Sequence, residues 1–175
     1  MLNAVPSAMR YALFTSLLLV LPTAPYSAIQ PATTIEARQA ESSRANALFD
    51  DIFDRAVARD PVRQTYLGIK TDYDKWNDIS EAAHTREMHH ARADLAQLAT
   101  INIGLLDADT RLSYRLMERE LSEKIEDYRW RRHNYPVNQM FGEHSSIPAF
   151  LINQHAIANE DDAKAYISRL NGVSA

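Results

Sequence analysis

Apolar side chains recur at intervals of three and four through residues 36–60, where Ala45, Leu48, Phe49, Ile52, Phe53, Ala56 and Val57 trace one broad stripe. Such spacing places them all on one side of a coil with 3.6 residues per turn, so a helix is predicted there, with Thr33 or Thr34 capping its start. Asp60-Pro61 ends it and can open a short further turn, because proline lacks the N–H that a helix start leaves unpaired in any case. Gly68 marks a stop, and residues 69–79 (IKTDYDKWNDI) read as a polar loop with aromatic anchors. A second helix is expected from the N-cap Ser80, with Glu81 in its first turn, burying Met88, Ala91, Leu95 and Leu98 until residues 102–104 break it.

From 107 to about 132, Tyr114, Met117, Leu121, Ile125 and Tyr128 again keep spacings of three or four. This is read as the longest helix, ~39 Å at 1.5 Å per residue, and as the spine of the domain. Residues 134–158 lose the period and carry Pro136, Gly142 and Pro148, so they read as one long irregular loop. A loop of that length inside a compact domain is usually functional or packs over something. A last helix opens at Asn159, with Glu160, Asp161 and Asp162 in its first turn, and runs through Ala163, Tyr166, Ile167 and Leu170 to Gly172. Only three residues follow, where a further element would be expected. The expected fold class is all-α: an array of about four to five helices with one long irregular loop, forming an incomplete part of a larger helical protein.

Composition narrows this picture. With 175 residues, 46% hydrophobic and 24% charged, the chain holds enough apolar side chain for a single core, which excludes disorder and collagen-like structure. Four glycines and seven prolines are too few for closely spaced strands and turns. The chain has no cysteine, which removes thiolate nucleophiles, Cys-ligated zinc and iron–sulfur centres. A net charge of −4 gives no bias toward polyanions.

The N-terminus carries its own signal. Arg10 precedes the apolar run 11–21 (YALFTSLLLVL), and the small-residue stretch up to Ala28 follows. Eleven such residues span only ~16 Å as a helix, about half of a ~30 Å hydrocarbon core. Residues 1–28 are therefore expected to be a secretory signal peptide cut after Ala28, although Tyr26 fits the small-x-small cleavage pattern poorly. The mature region 29–175 is then exported, periplasmic or secreted, with no membrane association after cleavage.

Candidate chemistry is sparse. The histidines stand at 84, 89, 90, 133, 144 and 155, and none forms the His-Glu-x-x-His pair that aims two imidazoles at one zinc. Glu81-x-x-His84 and Glu87-x-x-His90 resemble half-sites of di-metal bundles, but such sites draw one doublet from each of two helices. Both doublets here lie on one helix and read as its solvated surface. His84, one turn before Met88, reads as a packed, hydrogen-bonded histidine at the core edge. The run Tyr128-Arg129-Trp130-Arg131-Arg132-His133 interleaves base with aromatic, yet cations belong in the last turn of a helix, and no nucleic-acid partner is expected. Ser145-Ser146 beside Glu143 and His144 would point apart in an extended loop, and Asp161-Asp162 read as helix-start charges. On spacing alone the chain has no catalytic residue set, no metal ligand set and no cofactor site.

A longer ordered string remains. Tyr135-Pro136-x-Asn138-Gln139, Gly142, Pro148, Phe150-Leu151-Ile152, His155, Asp162-Ala163, Tyr166-Ile167 and Arg169-Leu170, with the earlier Asp60-Pro61 and Tyr66-Leu67-Gly68, resemble the bacterial family called domain of unknown function 885, over about residues 45–173. The resemblance implies a mostly helical, exported protein several times longer, related to helical zinc carboxypeptidases, whose metal motif is a His-Glu-x-x-Pro-Gly-His-His run far toward its C-terminus. Nothing in 1–175 matches that run, so zinc is implied for the longer proteins and none for this chain. The reading is an N-terminal helical region, catalytically incomplete, whose partner is the missing C-terminal region of the same protein and whose full-length form acts on a peptide. Its alternative is a self-standing exported helical binding or adaptor module without enzymatic activity.

Within the full-length reading, irregular backbone packed on helices is where polar groups converge on ligands, which makes Asn138, Gln139, Glu143 and His144 the candidate substrate-cleft residues. The competing role for the same segment is a latch that ties helices together through Tyr135, Phe141 and Phe150.

Overall fold

The computed structural model describes residues 32–133, 135 and 137–173. The proposed signal peptide and its cleavage point lie outside them. Six α-helices occur among the described residues: α1 (Ala32–Ala58), α2 (Pro61–Tyr66), α3 (Glu81–Leu98), α4 (Ala108–Asp127), α5 (Glu143–Asn153) and α6 (Glu160–Gly172). No strand is present among them beyond an isolated bridge between Val137 and Gly142, so the chain is all-α as its apolar periods predict.

Most helix starts are fixed by a side chain that accepts an otherwise unpaired N–H. Asp60 accepts from Arg63 N at 2.8 Å, Ser80 from Ala83 N at 3.1 Å, Asp107 from Thr110 N at 2.8 Å and Asn159 from Asp162 N at 2.9 Å. Gly68 follows α2 at φ +75°, a left-handed turn in which a side chain would be strained.

Helices α1, α3 and α4 form an up-down-up bundle. Arg44 on α1 donates to Thr100 O beyond the end of α3, while Arg59 near the other end of α1 pairs with Glu87 early in α3, so the two run antiparallel. Glu81, at the start of α3, meets Arg131 and Arg132 past the end of α4, so this pair is antiparallel too. Ala45, Ala91, Leu98, Ile101, Leu106, Tyr114 and Leu121 make the buried core, with Leu48, Phe49, Leu95, Met117 and Ile125 packed around it.

Four expectations are corrected. The longest helix is α1 with 27 residues, and it includes Thr33 and Thr34 rather than starting after them as caps. Helix α4 has 20 residues, because the backbone tightens into a 3-10 turn at Tyr128–Trp130 and Arg131 folds back to donate to Tyr128 O. The supposed irregular loop 134–158 contains α5. Pro148 sits in the sixth position of that helix and lacks the N–H that would ordinarily pair with the carbonyl of the exposed His144. The helix persists because Ile147, Phe150 and Leu151 share a side, and Phe150 and Leu151 are buried. Of the three latch aromatics only Phe150 is buried, whereas Tyr135 is 81% and Phe141 68% exposed.

Candidate functional site

Helices α5 and α6 reach the rest of the protein mainly through the segment 69–79, and that segment is itself held by α2. Buried Gln64 donates to Val57 O and accepts from Asp72 N, while Asn77 accepts from Val62 N and donates to the Asp60 carboxylate. Tyr73 and Trp76 then project toward α5 and α6. Tyr73 donates its hydroxyl proton to Ala156 O at 3.0 Å, and the Trp76 indole N–H donates to Arg169 O at 2.8 Å. Gly172 lets α6 lie close to that indole, since a Cβ there would meet Trp76 Cδ1 at 3.1 Å.

The centre of this region is Arg169, which is fully buried and, among the described residues, forms no ion pair with a carboxylate. Its Nε donates to Lys75 O at 3.0 Å, Nη2 to Pro61 O at 3.2 Å, and Nη1 to His155 Nδ1 at 3.1 Å. The rings of Phe150, Tyr73 and Trp76 lie 5.0, 5.4 and 5.5 Å from its Cζ, so their faces supply part of the stabilisation that water would give the cation. Burial pushes the guanidinium below its usual pKa, with the charges of Tyr73 and Asp74 opposing the shift.

His155 is 4% exposed, stacked on Tyr73 at 4.0 Å and edge-on to Tyr166 at 5.3 Å. Its tautomer follows from its partners. An arginine can only donate, so Nδ1 accepts; Nε2 lies 3.2 Å from Asp162 O and must carry the proton. Burial lowers its pKa below 6.5, the Asp162 backbone contact opposes this, and Arg169 and Lys70 push the same way as burial.

The Asp162 carboxylate takes both 2.8 Å contacts from Lys70 and accepts from Ala158 N at 2.9 Å. The Lys70 contact is the main reason its pKa falls below the carboxylate range, and Asp162 raises Lys70 in turn. A helix-start role therefore suffices for exposed Asp161 but not for buried Asp162. Beside this pair an open groove of about 590 Å³ runs between the 69–79 segment and α6, lined by Lys70, Tyr73, Asp74, Asn159, Asp161 and Lys164.

The residues singled out from sequence lie elsewhere. Asn138 Oδ1 accepts from Met140 N and Phe141 N, so this side chain shapes a turn. Gln139 is exposed on the same turn, and Glu143 and His144 are exposed in the first turn of α5, where Glu143 accepts from Ser146 Oγ. None of the four lines the groove beside α6 or the two smaller grooves of about 450 Å³ on the bundle. His84 is exposed at the rim of one of those grooves rather than packed at the core edge. In the run 128–133, Arg129 pairs with Glu126, and Arg131 and Arg132 with Glu81.

Residues 61–175 match the family described as bacterial protein of unknown function (DUF885). The chain belongs to that family. No curated protein and no solved structure matches it. The matched span of this DUF885 chain contains Lys70, Tyr73, Trp76, His155, Asp162 and Arg169 together. Zinc does not fit the donors described: His155 has both nitrogens engaged, and no group of three His, Asp or Glu side chains converges among the described residues.

The motif residues His155, Asp162 and Arg169 were legible in sequence, but their burial and mutual contacts were not. The available sign is spacing, since Asp162, Tyr166 and Arg169 stand four and three apart on one side of α6. Lys70, which completes the network, carries no such sign.

Proposed function

We propose that this DUF885 chain is the N-terminal helical region of an exported, metallopeptidase-like protein, in which it forms scaffold and cleft wall rather than the catalytic centre. The supporting observation is the apolar surface of its last third: Ile152 is 75% exposed, and Tyr135, Met140, Phe141, Ile167 and Leu170 are exposed with it. Exposed apolar side chains in such number favour a further polypeptide packing on them, in this reading the C-terminal region of the longer protein. The apolar run 11–21 supports export, and no described helix is long and apolar enough to cross a membrane. In this reading, zinc chemistry and peptide cleavage belong to the His-Glu-x-x-Pro-Gly-His-His run of longer relatives, and Asn138, Gln139, Glu143 and His144 meet substrate only once that region is docked.

The test is co-expression with the C-terminal region of a longer DUF885 protein. The expected result is a stoichiometric complex, with zinc and peptidase activity in the complex and strong binding of a hydrophobic dye by the chain alone. A monodisperse, cooperatively melting monomer that ignores both dye and added region favours the self-standing binding module instead. Recovery of the chain in the periplasmic or secreted fraction, shortened by about 28 residues, tests the export expectation.

A further inference from the structure

The interior between α6 and the 69–79 segment holds two basic side chains in hydrogen-bond contact, and only one of them is charged. Arg169 stays a cation, so the contact at 3.1 Å survives only while His155 presents a bare Nδ1. A proton on Nδ1 would set N–H against N–H, place two cations side by side in a water-poor site and leave the new donor without an acceptor. We propose that His155 is an acid-sensitive catch, whose protonation releases α5 and α6 from the 69–79 segment while the α1–α3–α4 bundle stays folded.

The surrounding charges support that direction. From α6, the ring faces Arg169, Tyr166 and the backbone carbonyl of Asp162; from the 69–79 segment it faces Tyr73, with Lys70 close by. The Asp162 carboxylate favours a charged ring, but it is held at 2.8 Å by Lys70, whose own charge acts on the ring in the opposite direction. Asp74 acts on Arg169, and Asp72 is paired with Lys75. No titratable side chain of α2 touches the imidazole among the described residues; α2 contributes Pro61 O to Arg169.

Geometry makes the release local. Tyr73 to Ala156 O, Trp76 to Arg169 O, and Lys70 to Asp162 all join the same two surfaces, so one displacement breaks them together. The sign follows from linkage: the released state takes up the proton at an ordinary imidazole pKa, and the docked state resists it. Docking is therefore fully favoured above about pH 6.5 and weakens as pH falls toward the lowered value of the docked ring, by up to tenfold per pH unit.

Hydrogen exchange of the intact chain at pH 7.5 and 5.5, corrected for intrinsic exchange, tests this. Amides of residues 69–79 and of α5 and α6 should lose about tenfold protection at the lower pH, with α3 unchanged. His155→Asn places a carboxamide oxygen near the position of Nδ1 and should abolish the response, whereas His89→Asn on exposed α3 should keep it. Equal loss in α3, or a persistent response in His155→Asn, overturns the proposal. Should His155→Asn fail to fold, the wild-type imidazole resonances decide. A ring that titrates near 6.5 with α6 still docked overturns the catch; titration coincident with release supports it.

Discussion

Ala45, Ala91, Leu98 and Leu106 close the interior of the α1–α3–α4 bundle with apolar surface alone. Between the 69–79 segment and α6 the most deeply buried side chain is instead an arginine, ringed by three aromatics, two backbone carbonyls and a neutral imidazole. An apolar core is non-directional and degrades gradually with lost surface. A polar interior depends on donors and acceptors matching one to one, and a single mismatch exposes the full desolvation cost of the group left over. A shape change in the bundle should therefore cost stability in proportion to the surface and packing lost, whereas in the Arg169 region a change of chemistry at constant shape is enough.

The largest expected effect falls on the bundle. Leu98 is fully buried at the meeting of its helices, so Leu98→Ala should lower stability by about 3 kcal/mol and reduce the melting temperature of the whole chain. Of similar size is Arg169→Met, which keeps bulk but strips the donors from Lys75 O, Pro61 O and His155 Nδ1, at roughly 1 kcal/mol for each acceptor left unpaired. Its effect should be confined: exchange in residues 69–79, α5 and α6 accelerates while α3 stays protected. Acceleration throughout would mean that the two regions unfold as one, and the contrast drawn above would be lost.

Acid separates the regions by a different route. Glu41 joins α1 to the turn after α3 through Arg44 and Asn102 N, contacts that hold its pKa down to about 2. With a folded value below the unfolded 4.5, its contribution is complete above 4.5 and is lost as pH falls toward about 2. His155 is also depressed, but from 6.5, so its contribution starts to fall two pH units earlier. Circular dichroism and exchange followed from pH 8 to pH 2 should resolve two steps, the Arg169 region first and the bundle second. A single transition below pH 4.5 would show that His155 contributes nothing separate.

The same contrast explains which parts of the molecule were legible in its sequence. Leu95 and Leu98 in α3, or Tyr114 and Leu121 in α4, sit at helical spacing because burial selects apolar residues there, so pattern and position agree. In α6 the same reasoning favours Ile167 and Leu170, yet both are exposed and the buried positions are Asp162 and Arg169. A charged side chain reads as surface unless its partners are known. The partners of Arg169 include backbone carbonyls at Pro61 and Lys75, which every residue carries and no pattern reveals. Helix α5 was hidden by Pro148 and Gly142, both read as breakers, although Ile147, Phe150 and Leu151 keep a helical interval. The end of α4 was overrun because Tyr128 continues the apolar period while the backbone has already tightened.

The smallest effect concerns the turn at Asn138, and it decides between the two roles available to that residue. Its side-chain oxygen accepts from Met140 N at 2.8 Å and from Phe141 N at 2.7 Å, and the turn it shapes sits outside both buried interiors. Asn138→Ala should therefore cost no more than about 1 kcal/mol, measured as a small fall in melting temperature, because water can reach the freed N–H groups. Asn138→Asp keeps the accepting oxygen and should restore that loss. If the carboxamide also contacts substrate in a longer DUF885 protein, turnover there should fall for both substitutions, since neither retains the donor. Turnover that recovers with Asn138→Asp in step with stability would assign Asn138 to the turn alone, and Gln139, Glu143 and His144 would then have to carry any contact with peptide.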